Sequence, residues 1–221
     1  MRLGWLLLVG CGGTATGGEG APQKVFVEFD GIVLEQGNED ATTNTSSAIA
    51  ANLSPYRLGV ADRELQITQV LSELDAILEP FRLDVVTERP EVGRYDMIVI
   101  GGTPQEAGLS AGLGGVAAVD CSNTTPNKIV VVFGNSFPAS FGGDTMASLA
   151  IAGLGSSQGI PSSNVADDCL CWKGIACENT RRCTFGGPGT EIAGGDVCAD
   201  GETTMDPTAE FAAIYPFASA Q

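Results

Sequence analysis

The crowding of cysteines toward the C-terminus constrains the fold of this chain most. Seven of its 221 residues are cysteines, and all but two of them lie between Cys169 and Cys198, in a segment rich in glycine. Such a segment has too few regularly spaced apolar side chains to build a core of its own, so cross-links or a metal must hold it. The sequence therefore predicts a cross-linked loop region near the C-terminus.

The N-terminal segment MRLGWLLLVGCGG indicates export. It contains one arginine, an apolar run from Leu3 to Val9, and small residues around Cys11. It resembles the bacterial lipoprotein signal, in which such a cysteine is lipidated and becomes the first residue of the mature chain. An ordinary secretory signal or a misassigned start codon stays open as the alternative. The run is too short for a helix that crosses a bilayer, which needs about 20 apolar residues.

This resemblance implies a signal peptide over residues 1–10, and the Gly- and Thr-rich stretch that follows predicts a flexible tether over residues 11–23. We expect an exported, lipid-anchored protein of the cell envelope that contacts the membrane through its lipid only. Gly12 favours the outer membrane or the cell surface, because inner-membrane retention resembles a signal with aspartate after the lipidated cysteine.

An oxidising compartment favours disulfides among the remaining six cysteines. A zinc site is the alternative, but Cys-x-Cys followed by gaps of five, five and fourteen residues does not match the usual paired spacing of zinc ligands. Six cysteines allow fifteen pairings, and the sequence leaves the pairing open. The predicted disulfide cysteines are Cys121, Cys169, Cys171, Cys177, Cys183 and Cys198.

The charge balance argues against nucleic acid as a partner. The chain has 11 basic and 27 acidic residues, and its formal net charge of -16 repels phosphate backbones and anionic lipid headgroups. Its 43% of hydrophobic residues suffice for one sizeable core. We therefore expect a single domain over residues 24–217, with residues 163–217 as its cysteine-rich C-terminal subdomain.

Short β-branched and aromatic runs bounded by glycine or proline predict strands. They cover residues 24–29, 83–87, 95–100 and 128–133, with 115–119 as a weaker candidate at a sheet edge. The turn pair Asp30-Gly31 before a new apolar run at Ile32 predicts a hairpin or a bulge. Residues 38–54 are rich in Asn, Thr, Ser and Ala, which suggests a surface loop or a weak helix.

Three segments favour helices. Apolar side chains recur at helical spacing over 62–80, where Asp62 is the predicted N-cap and Pro80 ends the helix. Residues 144–154 are apolar nearly all round, which is typical of a helix buried in the middle of a domain. Residues 207–215 form the last predicted helix, with Asp206 as its cap. The fold class is therefore α+β, with a mixed sheet of four to five strands.

This order of elements, together with the stretch AGLGSSQGIPS at residues 152–162, resembles the metzincin zinc proteases. Their signature H-E-x-x-H-x-x-G-x-x-H holds zinc on an active-site helix that lies under a twisted sheet. With Gly159 as the turn glycine, the histidine positions fall on Ala152, Ser156 and Ser162, and the glutamate position on Gly153. We also expect this helix to fray early, because Gly153 and Gly155 each disfavour helix by about 1 kcal/mol relative to Ala.

A second resemblance supports the same register. Residues 203–207 look like the metzincin Met-turn, a loop under the metal that precedes the last helix, with Met205 as its methionine. Simple packing of Met205 in a loop is the alternative. The resemblance implies a metzincin-like twisted sheet, a buried former active-site helix, a disulfide-rich loop region and a C-terminal helix.

The chain contains no histidine. A catalytic zinc of this kind needs imidazole ligands and a carboxylate that takes a proton from the bound water. We therefore expect a pseudoprotease with no cofactor, no catalytic residue and no peptidase activity, which binds a peptide or protein in the residual cleft or serves as a structural module. The alternative is a disulfide-stabilised surface or adhesion domain unrelated to peptidases.

Other chemistry is disfavoured by spacing. Residues 155–159 match Gly-x-Ser-x-Gly, but a nucleophile elbow leads from a strand into a helix and needs a base. The glycines at 153, 155 and 159 follow a helical run, whereas a phosphate-binding loop follows a strand. The acidic pairs near 167 and 200 leave calcium open without matching an EF-hand. Trp172 and the aromatic residues after 210 are expected either to cover the core or to form an apolar contact surface.

Overall fold

The computed structural model describes residues 22–138, 140–172, 177 and 182–218. The predicted signal peptide, Cys11 and nearly all of the predicted tether lie outside these residues. None of the helices in the described part of the chain is long and apolar enough to cross a membrane.

The described residues form three α-helices and ten strands. The helices are α1 (Arg63–Leu78), α2 (Gly143–Ser157) and α3 (Pro207–Ile214). The strands are β1 (Gln23–Glu28), β2 (Ile32–Gln36), β3 (Thr45–Ser46), β4 (Ala51–Leu53), β5 (Leu83–Val86), β6 (Tyr95–Gly101), β7 (Gly115–Ala117), β8 (Ile129–Phe133), β9 (Thr190–Glu191) and β10 (Thr204–Met205). The predicted α+β class and each predicted helix and strand are confirmed, within a few residues at their ends.

Five strands form the main sheet in the order β5-β1-β6-β8-β7. The first four are parallel, and β7 pairs with β8 antiparallel, with Val116 opposite Val131. The sheet is therefore mixed, and β7 lies at its edge, as the sequence predicted.

Both faces of the main sheet are buried because successive side chains of a strand point to opposite faces. Val27, Ile98 and Val130 face the core that contains α1 and α2. Phe26, Met97 and Val131 face a second core that is closed by a small sheet of order β3-β2-β4. Helices thus cover one face of the main sheet, and the small sheet covers the other.

The predicted hairpin at Asp30-Gly31 is wrong. β2 leaves the main sheet and pairs antiparallel with β4, with Ile32 opposite Leu53. The carbonyl of Phe29, just after β1, accepts hydrogen bonds from the backbone N–H of Tyr56 at 2.8 Å and from the Arg63 guanidinium at 3.0 Å, so it is not available to an adjacent hairpin strand. Ile32 and Leu34 instead cover the far face of the main sheet.

Residues 38–54 form neither a plain loop nor a helix. They contain β3 and β4 and are tied together by Glu39, which is 7% exposed. The Glu39 carboxylate accepts hydrogen bonds from the backbone N–H of Ile129 at 2.9 Å and of Ser47 at 2.8 Å. A buried carboxylate thus connects this polar segment to the start of β8.

The helix ends agree with the prediction except at Asp62. Asp62 occupies the N-cap of α1, but its side chain makes no capping hydrogen bond, because its Oδ2 accepts from Gln66 Nε2 at 2.6 Å. Asp206 does cap α3, since its Oδ1 accepts from the backbone N–H of Ala209 at 3.0 Å, and Pro207 follows at the first turn.

The six predicted cysteines form three disulfides, which confirms the preference for disulfides over zinc. The pairs are Cys121–Cys198, Cys169–Cys183 and Cys171–Cys177. The first joins the segment after β7 to the C-terminal subdomain, across 77 residues of sequence. The other two are local.

The long-range disulfide is expected to stabilise the fold most. Loop entropy predicts that replacing both Cys121 and Cys198 by Ser lowers the free energy of unfolding by about 4.5 kcal/mol, and replacing both Cys171 and Cys177 by about 2 kcal/mol. Urea denaturation of the two double variants and the parent, all oxidised, measures both losses. An equal or larger loss in the Cys171/Cys177 variant would contradict this order.

Candidate functional site

The end of α2 is a turn that only glycine fits. Gly159 has φ +82°, and its N–H donates to the carbonyl of Ser156 at 3.1 Å, while the N–H of Ile160 donates to the carbonyl of Gly155 at 3.0 Å. This is the hydrogen-bond pattern of a Schellman cap. A Cβ on Gly159 would also lie only 2.6 Å from Cys121 Cα. Gly159 therefore ends the helix and brings it against the segment that follows β7.

The three positions matched to zinc ligands are all buried. Ala152 and Ser156 are 2% and 6% exposed and lie one turn apart on α2, whereas Ser162 is 2% exposed and follows the turn at Gly159. The backbone N–H of Ser162 donates to Asp196 Oδ2 at 3.0 Å, and its Oγ is buried without a hydrogen-bond partner. None of the three side chains carries the imidazole, thiolate or carboxylate group that binds zinc in proteins.

Trp172 packs between α2 and the edge strand. A Cβ on Gly153 would lie 3.2 Å from Trp172 Cη2 and would overlap Val130 Cγ1. A Cβ on Gly115, the first residue of β7, would lie 2.9 Å from the same Cη2 atom. The half-buried Trp172 ring thus occupies space that a side chain at Gly153 would need.

The expected early fraying of α2 is wrong. The helix continues through Gly153 and Gly155 to Ser157. A Cβ on Gly155 would overlap Leu170 Cδ2, so both glycines lie where neighbouring side chains press against the helix. Close packing outweighs their weak helix propensity, which is a common outcome for buried helices.

Within the described residues, the outer edge of β7 has peptide groups with no strand partner. The N–H of Phe133 donates to the carbonyl of Gly114 at 2.9 Å, so the hydrogen-bonded residues facing β8 are Gly114 and Val116. Because each peptide is trans and planar, the N–H and C=O groups of Gly115 and Ala117 point away from β8. β7 is the last strand of its sheet, so no strand in the described residues pairs with these groups.

Met205 lies in β10, immediately before the cap of α3, and is 9% exposed. It belongs to the same hydrophobic core as Leu154 and Ile160, which flank the end of α2. The position therefore agrees with the predicted Met-turn as well as with ordinary core packing.

A buried carboxylate that the sequence did not single out lies beside the end of α2. Asp96, in β6, is 2% exposed. Its Oδ2 accepts hydrogen bonds from Gln23 Nε2 at 2.9 Å, Gln158 Nε2 at 3.0 Å and the Tyr215 hydroxyl at 2.7 Å, and its Oδ1 accepts from the N–H of Lys128 at 2.8 Å. The only signal in the sequence was an acid inside an otherwise apolar strand run.

Burial shifts the titration of this cluster. Loss of hydration raises the pKa of Asp96, and hydrogen bonds from Tyr215 and from the Lys128 backbone partly oppose the rise. The pKa of Tyr215 is raised well above its ordinary value, first by burial and then by the neighbouring Asp96 charge. All four hydrogen-bond donors to Asp96 are groups of the protein itself. The cluster therefore joins the elements that carry these donors.

Asp120 and Lys128 form an ion pair beneath the segment that follows β7. Lys128 Nζ lies 2.7 Å from Asp120 Oδ2, and the two side chains are 2% and 17% exposed. The hydrogen bond from Lys128 holds the pKa of Asp120 well below its ordinary value. Asp120 also accepts hydrogen bonds from the backbone N–H groups of Thr124 and Thr125, which fixes the loop before β8.

Two of the acids considered as calcium ligands accept hydrogen bonds from backbone N–H groups of the loops. Asp168 accepts from the backbone N–H groups of Leu170 and Gly186, both at 2.7 Å, and Asp196 accepts from those of Ser162 and Cys198. In the described part of the chain no three His, Cys, Asp or Glu side chains converge as metal ligands. Ser157 lies inside α2 and donates to the carbonyl of Leu154, so it does not form a nucleophile elbow.

The aromatic residues expected near the C-terminus divide between core and surface. Phe211 and Tyr215 are fully buried, whereas Phe217 is 51% exposed.

Comparison of the chain with protein-family models found no matching family, and comparisons with curated proteins and with solved structures found no similar protein or structure.

The close packing at Gly153 makes a direct prediction. Gly153→Ala is expected to lower the free energy of unfolding by about 1–3 kcal/mol, because the new Cβ overpacks against Val130. Helix propensity alone predicts the opposite, a gain of about 1 kcal/mol. Urea denaturation decides between them.

Gly194→Ala is the matched control. No atom lies within 4 Å of a Cβ placed there, so its stability should stay within about 0.5 kcal/mol of the parent. Adding Val130→Ala to Gly153→Ala should recover part of the loss. A Gly153→Ala protein more stable than its parent would refute the packing argument.

The Asp120–Lys128 pair predicts a pH dependence. Asp120→Asn leaves the buried Lys128 ammonium without its partner and is expected to cost about 2–3 kcal/mol at pH 7. Because the folded pKa of Asp120 is depressed, its stabilisation is full above the unfolded pKa of about 4 and is lost as the pH falls through the folded pKa. The difference between variant and parent should therefore shrink below about pH 4.

Denaturation series from pH 7 to about pH 2 measure this difference. Asp30→Asn is the control, because Asp30 pairs with Arg63 but its side chain is 85% exposed. It should cost no more than about 1 kcal/mol at any pH. A loss from Asp120→Asn that stays constant across this range would contradict the assignment.

Proposed function

We propose that this protein is an exported, lipid-anchored, metzincin-like pseudoprotease that binds an extended peptide along β7 and does not cleave it. The observation that carries the proposal is the open edge of β7 beside the half-buried Trp172. The N–H and C=O groups of Gly115 and Ala117 face outward there, as required for a peptide to add a strand.

The metzincin-like part of the proposal is supported by the arrangement around α2. The helix is buried, it ends at a left-handed Gly159, and an antiparallel edge strand and a cross-linked subdomain with a buried Met205 accompany it. These features agree with the resemblance that residues 152–162 and 203–207 carry. The small residues at Ala152, Ser156 and Ser162 then represent lost zinc ligands.

Binding without cleavage is supported by the composition. With no histidine in the chain, nothing supplies the imidazoles that a zinc peptidase needs. Trp172 lies where a side chain at Gly153 would need space, so a carboxylate base has no room either. The net charge of -16 favours neutral or basic peptides over acidic ones.

Selection from a phage library of random decapeptides on the immobilised protein tests this function. We expect enriched peptides that bind the parent and that bind Ala117→Pro at least about tenfold more weakly, because proline removes the outward N–H. The β8 pairing should survive, since that N–H points away from β8. Ala117→Ser, which keeps the N–H, is the control and should bind like the parent.

Trp172 provides an independent signal. Once residues 1–10 are removed, Trp172 is the single tryptophan of the chain, so its fluorescence should change when a selected peptide binds. Peptides that bind Ala117→Pro as tightly as the parent would place the site elsewhere. Failure to enrich any peptide would favour the disulfide-stabilised structural or adhesion domain, and one zinc per chain with chelator-sensitive cleavage would overturn the pseudoprotease assignment.

A further inference from the structure

A cavity lies at the carboxyl ends of the parallel strands. It has a volume of about 490 Å³, and its lining includes Ser54, Pro55 and Asn135. Pro55 forms a bridge with Gly101 at the end of β6, and Asn135 follows the end of β8. The carboxyl ends of parallel strands are where open sheets commonly bind ligands.

Arg57 lines this cavity and is buried without an acidic partner. Its side chain and backbone together are 8% exposed, and no ion pair within the described residues includes it. Nη2 donates to the carbonyl of Pro138 at 3.0 Å, but Nη1 is buried with no hydrogen-bond partner. The guanidinium lies over the Tyr56 ring, 5.2 Å from its centroid, but an unpaired buried donor on a charged group is costly, and an arginine with no acid beside it is unexpected in a chain with 27 acids.

The backbone holds Arg57 in an unfavourable conformation. Its φ is +46°, in the left-handed region that is unfavourable for a residue with a Cβ. Asn135 stabilises it, because its Oδ1 accepts the Arg57 N–H at 2.8 Å and its Nδ2 donates to Ser54 Oγ and to the Pro55 carbonyl. The surrounding structure therefore fixes the backbone of Arg57 beside the cavity, and the Pro138 carbonyl holds its guanidinium through Nη2.

Apolar side chains complete the lining. Leu58 and Val60 are 73% and 43% exposed, and Phe137 is half-buried. Exposed apolar groups beside a single unpaired cation favour a ligand that has both an anionic and an apolar part. One cation in a strongly acidic protein suits a monoanion better than a doubly charged phosphate.

We infer that this cavity binds an organic monocarboxylate with an apolar substituent, whose carboxylate accepts from Arg57 and whose apolar part contacts Leu58, Val60 and Phe137. The residues that line this cavity are distinct from those of the proposed peptide edge of β7. The same chemistry occurs in free aliphatic acids and in the C-terminal carboxylate of a peptide that ends in an apolar residue.

Isothermal titration of the full chain with three probes tests the inference. The probes are 4-methylpentanoate, N-acetyl-leucine and N-acetyl-leucinamide, and Kd values on the order of 1 mM are expected for such small acids. Binding of both acids but not of the amide supports recognition of the carboxylate. Binding of 4-methylpentanoate alone supports a free acid as the ligand, and binding of N-acetyl-leucine alone supports a peptide C-terminus.

Leu58→Asp places a negative charge at the cavity mouth and should weaken acid binding at least about fivefold. Leu65→Asp is the matched control, because Leu65 is an exposed leucine of α1 that does not line the cavity, and it should change Kd less than about twofold. Arg57→Asn, in which asparagine tolerates a positive φ, should abolish binding. If Arg57→Asn fails to fold, the comparison of Leu58→Asp with Leu65→Asp still shows whether the acids bind in this cavity.

Three results would each overturn the inference. One is the absence of heat from both acids at concentrations up to about ten times the expected Kd. Another is equal binding of N-acetyl-leucinamide and N-acetyl-leucine. The third is an equal effect of Leu58→Asp and Leu65→Asp on the affinity for either acid.

Discussion

The buried carboxylate of Asp96 is the constraint on which the rest of the structure depends. Its four hydrogen bonds come from the first residue of β1, the cap of α2, the residue after α3 and the residue before β8. A carboxylate that is only 2% exposed is costly unless hydrogen-bond donors surround it. These four elements must therefore lie close to Asp96. The hydrogen bond from Gln158 thereby fixes the end of α2, and the turn at Gly159, relative to the sheet.

Helices and strands with a regular spacing of apolar side chains could be predicted from the sequence. The contacts that join these elements could not. The apolar spacing of α1 and the β-branched run of β8 each specify their structure locally. The hairpin at Asp30-Gly31 failed because the carbonyl of Phe29 is bonded by groups far along the chain, which no local pattern reveals. Residues 38–54 were left without an assigned structure for the same reason, since the hydrogen bond from the Ile129 N–H to the Glu39 carboxylate spans 90 positions.

The glycines in and after α2 show which part of the candidate site the sequence predicted and which part it did not. The sequence located Gly159 correctly, because a glycine after a helical run commonly takes a left-handed conformation. It misjudged Gly153 and Gly155, because propensity describes an isolated helix, whereas here Trp172 and Leu170 fill the space above them. Side chains from the cross-linked loop thus fill the space beside both glycines, and the helix continues through them.

The two proposed sites share one neighbour, Phe137. This side chain lines the Arg57 cavity, and its Cζ would lie 3.4 Å from a Cβ on Gly114, the residue that precedes β7. A carboxylate ligand that shifts Phe137 would therefore change the packing at the start of the proposed peptide edge. Linkage then requires reciprocity, so that any factor by which the acid alters peptide affinity must equal the factor by which the peptide alters acid affinity. Phe137 thus lies between the Arg57 cavity and the start of β7, which is where such coupling would act.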